Sequence, residues 1–383
     1  MSVSDSPPRL HWSEDGAERS ALWRSEAGLP PPRRVVVADD QMAADTAYRL
    51  ASEGTALLWR GDFQNARQLL QAMARRVDRK PQRKARGAAQ APASLTEAFH
   101  KHRLAQSQRA RTLGMLLLPF EPGHVVPLRR APDVQQACEQ VYGPADAPYV
   151  ASMRELLGLI GAYEWRRKGV EIPLLGDRIH PWYGVFSPVR GEYLELVARQ
   201  DLPSKALAFD VGTGTGVLAA LLAQRGVRRV VGTDQDPRAL ACARENIDRL
   251  GLAQHVEIVD ANLFPEGRAP LIVCNPPWVP ARPSSPIEHA VFDPDSRMLR
   301  GFLDGLAAHL EPGGQGWLIL SDFAEHLGLR TRDELLGWID AAGLKVLGRA
   351  HIRPKHPKST DADDPLHAAR KAEVTSLWRL AAK

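Results

Sequence analysis

The residues with the clearest chemical meaning are Asn275-Pro276-Pro277-Trp278, which follow the apolar run Leu271–Cys274. Two successive prolines fix φ at both positions and remove both backbone donors. What remains is a rigid turn rich in acceptors, chiefly the Asn275 side-chain oxygen and the Pro276 carbonyl. An amide or aromatic NH2 group has two hydrogens to offer such a pair, and its lone pair is delocalised and weakly nucleophilic. Two acceptors draw that nitrogen towards a tetrahedral shape and aim the lone pair at an electrophile. Trp278 adds a flat face for a planar target. The competing structural reading is a proline-rich loop leaving a strand, with Trp278 as a core residue.

About sixty residues upstream lies Asp210-Val211-Gly212-Thr213-Gly214-Thr215-Gly216. Glycines at alternate positions let the backbone turn tightly and approach a ligand closely, because no Cβ intervenes. The spacing is G-x-G-x-G rather than the dinucleotide G-x-G-x-x-G, which argues against an NAD-dependent oxidoreductase. Asp234 ends the next apolar run, twenty-two residues beyond Gly212. A carboxylate there can accept from both hydroxyls of a ribose. Asp260 ends the run after that, placed to meet an adenine amino group. The competing reading makes Asp234 and Asp260 helix caps, but Asp236, followed by Pro237, is the better cap.

Positioning these residues calls for strands that end together. From Ala206 onwards strand and helix patterns alternate: strands over Ala206–Val211, Arg229–Thr233, His255–Val259, Leu271–Cys274, Trp317–Leu320, Leu344–Leu347 and Val374–Leu380, with helices between most of them. Pro312-Gly313-Gly314 is a breaker after the helix 297–310. Such alternation implies a mostly parallel α/β sheet covered on both faces, with its ligand crevice at the carboxyl ends of the strands. Val170 to Pro188, punctuated by Pro and Gly, reads as a hairpin or paired strands.

FDVGTGTG, TDQDP and NPPW together resemble class I methyltransferases of the small-domain type, including the release-factor glutamine and N6-adenine N-methyltransferases. The similarity covers residues 180–383. It implies a Rossmann-like sheet and S-adenosylmethionine as cofactor, with Asp210, Gly212, Thr213, Gly214, Gly216, Asp234, Asp260 and Asn275 on the cofactor side. Asn275, Pro276, Pro277 and Trp278 then carry the transfer, and no metal is needed. The chain departs from the glutamine enzymes at two places. Trp278 stands where Tyr is usual, and Tyr183 to Glu192 keeps only Pro188 and Glu192 of a Pro-Arg-Pro-Glu-Thr-Glu segment.

The N-terminal part matches no family in this way. Residues 1–33, rich in Ser, Pro and charge, read as a disordered lead-in. Residues 34–170 read as a mainly helical recognition region, with helices over 43–50, 63–77, 95–111, 133–142 and 150–167 and a basic linker at about 80–94. Val35-Val36-Val37 reads as a short strand, and Met115–Leu118 as a strand or a helix segment. The methyltransferase domain then spans 171–383.

The net charge of +5 hides an asymmetry. From Arg75 to Arg130 thirteen Lys and Arg face three acids, about +10 in all. Clustered positive charge attracts polyanions by counterion release. The expected acceptor is therefore an exocyclic amino nitrogen of a nucleic-acid base, RNA ahead of DNA. The alternative is the N5 nitrogen of a protein glutamine, and a non-catalytic nucleic-acid-binding protein ranks behind both. Three scattered cysteines, no apolar run of membrane length and no basic-apolar leader pattern lead to the expectation of a cytoplasmic, reduced protein with no membrane partner. His100 and His102 lack further ligands at metal spacing and read as an exposed basic patch.

Overall fold

The alternating residues Leu10 and Trp12 are buried while their neighbours Arg9, His11 and Ser13 point outwards, a half-buried strand pattern. They belong to a computed structural model that describes residues 7–79, 94–189, 191–283, 288, 290–354, 361 and 364–383. The chain divides into two units, Met1–Ala91 with Lys101–Glu164, and Pro92–His100 with Trp165–Lys383.

The first unit corrects the expected disordered lead-in. Strands β1 (Arg9–Glu14) and β2 (Ala17–Trp23) form an antiparallel hairpin closed by Asp15 and Gly16, both at positive φ. Asp-Gly is the preferred pair for such a two-residue turn, because its twist matches the strands it joins. The elements that follow are β3 (Arg34–Ala38), α1 (Ala44–Ser52), β4 (Thr55–Trp59), α2 (Phe63–Val77), α3 (Leu95–Leu113), β5 (Leu116–Phe120), α4 (Gln135–Tyr142), β6 (Tyr149–Ser152) and α5 (Met153–Lys168). The region expected to be mainly helical is thus organised on a six-stranded sheet of order β1-β2-β6-β5-β4-β3, with β3, β4 and β5 parallel. Every residue of β4 is buried, so the strand has no polar–apolar alternation to announce it.

Charge in this unit is also less free than a window count implies. Arg76 pairs with Asp45 at 2.6 Å, Arg109 with Asp78 at 2.8 Å, and both Arg129 and Arg130 with the buried Asp62 at 3.0 and 2.7 Å. Asp45 and Asp62 lie outside residues 75–130. Of the expected basic linker at about 80–94, residues 80–93 fall outside the described residues.

In the second unit a short hairpin, β7 (Val170–Ile172) and β8 (Asp177–Ile179), precedes α6 (Glu192–Arg199). Then come β9 (Leu207–Val211), α7 (Val217–Gln224), β10 (Arg229–Asp234), α8 (Pro237–Arg249), β11 (Val256–Asp260) and β12 (Ala269–Cys274). After these follow α9 (Arg297–His309), β13 (Leu310–Ser321), α10 (Phe323–His326), α11 (Arg332–Ala341), β14 (Leu344–Ile352), α12 (His367–Ala372) and β15 (Thr375–Ala382). The sheet order is β11-β10-β9-β12-β13-β15-β14, with β15 antiparallel to both neighbours and the other pairings parallel. Pro312-Gly313-Gly314 lies inside β13, where the register jumps from Ala269–Leu310 to Leu271–Gln315. The breaker residues therefore form a bulge in a strand.

One face of this sheet packs against Leu218, Leu221 and Leu222 of α7 and Leu240 and Ile247 of α8. The other packs against Phe302, Leu303 and Leu306 of α9 and Leu335 and Ile339 of α11. As expected, Asp236 caps α8, accepting from Arg238 N at 2.8 Å, with Pro237 in the first turn. Among the described residues no helix is long and apolar enough to cross a membrane.

Candidate active site

Strand order places the site before any side chain is considered. The sheet reverses direction at β9: β10 and β11 lie on one side of it, β12 and β13 on the other. The loops leaving β9 and β12 diverge there and open a crevice at the carboxyl ends. The register pairs Val211 with Cys274. Gly212 and Asn275, the next residue of each strand, therefore begin neighbouring loops, which brings the glycine loop and the proline turn together.

The glycine loop needs its glycines. Gly212, Gly214 and Gly216 have φ of +72°, +53° and +80°, a region L-residues with a Cβ rarely adopt. A Cβ on Gly212 would lie 2.4 Å from the Met298 methyl, whereas one on Gly214 would meet nothing within 4 Å. The loop is tied down by Thr213 N donating to Thr233 O at 2.8 Å and by Gly216 N donating to Thr213 O at 2.8 Å.

Two carboxylates stand behind it, one buried and one half-buried. Asp210 is fully buried, and its Oδ2 accepts from the Thr213 hydroxyl at 2.7 Å and from Ala219 N at 3.0 Å. Its other oxygen, Oδ1, has no hydrogen-bond partner. Burial pushes this carboxyl up to about 6, the Asp234 charge adds to the rise, and the two hydrogen bonds oppose it. Asp234 accepts from Gly214 N at 3.1 Å, Gln235 N at 2.9 Å and Asp236 N at 3.1 Å. Burial raises its pKa against those three bonds. Asp260, exposed, pairs in register with Asp234 at the end of the next strand.

The transfer turn has its own internal bond. Trp278 Nε1 donates to Asn275 Oδ1 at 3.0 Å. The half-buried Trp278 ring packs against both faces' cores and against a third cluster that includes Val279, Phe323 and Leu327. The ring is therefore clamped rather than offered whole as a free flat face.

One residue near the site carried no sequence signal. Asp293 donates its N–H to Val279 O at 2.9 Å, and its buried carboxylate accepts from Met298 N at 3.0 Å and Leu299 N at 3.1 Å. It thereby ties the start of α9 to the chain just after Trp278 and holds Met298 against Gly212. The bond to Val279 crosses fourteen residues, so no local pattern announces it. Phe186, in the segment compared with Pro-Arg-Pro-Glu-Thr-Glu, packs on Tyr193 with ring centroids 6.3 Å apart. Arg190 of that segment lies outside the described residues.

Residues 183–331 match the family model for the methyltransferase small domain. Over those residues the chain carries a methyltransferase small domain. The release factor glutamine methyltransferase of Cereibacter sphaeroides is 34% identical over 180 residues, 43% of this chain and 59% of that protein. A ribosomal protein L11 methyltransferase of Pelotomaculum thermopropionicum is 49% identical over 69 residues, 18% of this chain and 22% of that protein. A putative protein N5-glutamine methyltransferase of Methanocaldococcus jannaschii is 28% identical over 192 residues, 48% of this chain and 92% of that protein. The chain thus spans less than two thirds of the first two relatives.

The methyltransferase small domain has residues that fit its cofactor. The orphaned, buried Asp210 Oδ1 suits a cationic ligand, and the open space beside Gly214 leaves room for backbone approach. Asp234, at the end of β10, is the residue we propose for the ribose hydroxyls. Asp234→Ala is expected to weaken S-adenosylmethionine binding about ten- to a hundredfold, the worth of hydrogen bonds to a charged acceptor. Calorimetric titration of both proteins checks this, and equal affinities would remove the ribose assignment.

Proposed function

We propose that this protein methylates the side-chain amide nitrogen of a glutamine in a protein substrate. The observation that carries the transfer reading is the pairing of Val211 with Cys274, which sets the acceptor turn directly beside the glycine loop. The glutamine reading draws on the names of two relatives, a release factor glutamine methyltransferase and a putative protein N5-glutamine methyltransferase. S-adenosylmethionine supplies a methyl group bound to a positively charged sulfur. Asn275 Oδ1 and the Pro276 carbonyl accept the two amide hydrogens and orient the nitrogen lone pair. Pro277 keeps the turn rigid, and Trp278 walls it. The methylated nitrogen then loses a proton to solvent, so no buried base is required.

A base amino group presents the same NH2 chemistry. The basic stretch 75–130 was its main support, and four of the arginines there already hold carboxylates. That lowers the field left for a polyanion. Incubating the protein with labelled S-adenosylmethionine and a cell lysate separates the two. Label in the protein fraction, released by full digestion as N5-methylglutamine, is the expected result. Label confined to nucleic acid would overturn the glutamine assignment in favour of a base.

A further inference from the structure

We propose that Trp278 is a positioning residue that fixes which end of the Asn275 carboxamide faces the methyl acceptor. The inference rests on the methyl-transfer reading above. The two ends of a carboxamide are nearly the same size and opposite in polarity, so sterics alone cannot choose between them. An indole N–H can only donate. At 3.0 Å from Trp278 Nε1 it therefore selects Oδ1. Among the described residues no other hydrogen bond engages the Asn275 side chain.

A carbonyl oxygen has two lone pairs. One takes the indole hydrogen, and the other stays available to a hydrogen of the target NH2. In the flipped orientation the carboxamide NH2 would face the indole N–H and the target NH2 at once, two donor–donor contacts. The lock works because the ring cannot turn away. Residues from three apolar clusters hold it, and Pro276-Pro277 fixes the backbone between it and Asn275. Phenylalanine would supply a flat ring but no donor. Tyrosine, whose hydroxyl both donates and accepts, would be satisfied by either end of the amide. Tryptophan is the aromatic residue that reads the polarity.

The test is a double-mutant cycle on the full chain. Trp278→Phe is expected to lower kcat about tenfold, the worth of one hydrogen bond at a half-buried site, with S-adenosylmethionine affinity and acceptor KM within about twofold. Asn275→Asp replaces the carboxamide by a carboxylate, which has two equivalent oxygens and no wrong end. In that background Trp278→Phe should change kcat less than twofold. Equal losses in both backgrounds would mean that the ring acts by packing alone, and overturn the proposal. So would wild-type kcat in Trp278→Phe.

Hydrogen exchange of the Trp278 indole N–H, identified by its absence from the Trp278→Phe spectrum, needs no acceptor. It should be protected in the wild type and exposed in Asn275→Ala. Fast exchange in the wild type overturns the lock directly. A protected N–H in a protein that transfers no methyl group would instead overturn the transfer reading, and with it the function given to the bond.

Discussion

Asn275→Ala is expected to reduce methyl transfer by about 10²–10³-fold while leaving S-adenosylmethionine affinity within about twofold. The asymmetry follows from where the side chain points its oxygen. Oδ1 belongs to the turn after β12, with Trp278 as its hydrogen-bond partner, whereas the residues proposed for the cofactor stand at the ends of β9, β10 and β11. An acceptor aimed at the reacting nitrogen acts where charge and geometry change in the transition state, so its loss falls on kcat. Single-turnover transfer and calorimetric titration of the same protein separate the two effects. Retained activity would remove Asn275 from the transfer step. A parallel loss of cofactor affinity would move it to the cofactor side, where the sequence also counted it.

The carboxyl-terminal sheet was legible because each of its signals is local. Asp236-Pro237 caps a helix, the alternation of apolar runs and amphipathic helices marks the strands, and the glycine loop sits where a first strand must end. The strand 310–321 was legible only in its second half, because its bulge at Pro312-Gly313-Gly314 looks like a terminator. Of the amino-terminal sheet the sequence shows the strand at Val35–Val37 and leaves Met115–Leu118 open, and β1, β2 and β4 escape it for two physical reasons. β4 is buried throughout and so has no period to detect. β1 and β2 sit in a charged, Ser-rich stretch whose average composition masks the alternation of Leu10 and Trp12 and the Asp15-Gly16 turn.

The site divides in the same way. Residue types and spacing point to the loop, the acids and the proline turn, because each follows a strand. They do not reveal contacts between separated segments, such as Asp293 with Val279. Nor does a charge count over residues 75–130 see the acids that neutralise it from elsewhere, Asp45 and Asp62. Recognition of the partner is therefore a weaker inference from sequence than recognition of the reaction.

Asp210 offers a second large effect, opposite in sign to the usual loss on mutation. Its folded pKa, about 6, lies above the ordinary 3.8, so between those values the native state holds a proton that the unfolded chain has lost. Stability from this group is fully present below about pH 4 and is lost as pH rises through about 6. The ionised form thus costs on the order of 3 kcal/mol at pH 7. Asp210→Asn removes that cost while its carbonyl oxygen can still accept from the Thr213 hydroxyl and Ala219 N. The new NH2, placed where Oδ1 had no partner, returns roughly 1–2 kcal/mol. Urea unfolding should find the variant about 1–2 kcal/mol more stable than wild type at pH 7, with that advantage gone by pH 4. The same ionisation should tune binding. A cationic cofactor favours the charged carboxylate, so wild-type affinity should climb with pH through about 6 and the variant's should be weaker and flat. A variant less stable than wild type at pH 7 would mean that the carboxylate is paired in solution, and would remove Asp210 Oδ1 as the open position for the cofactor's positive charge.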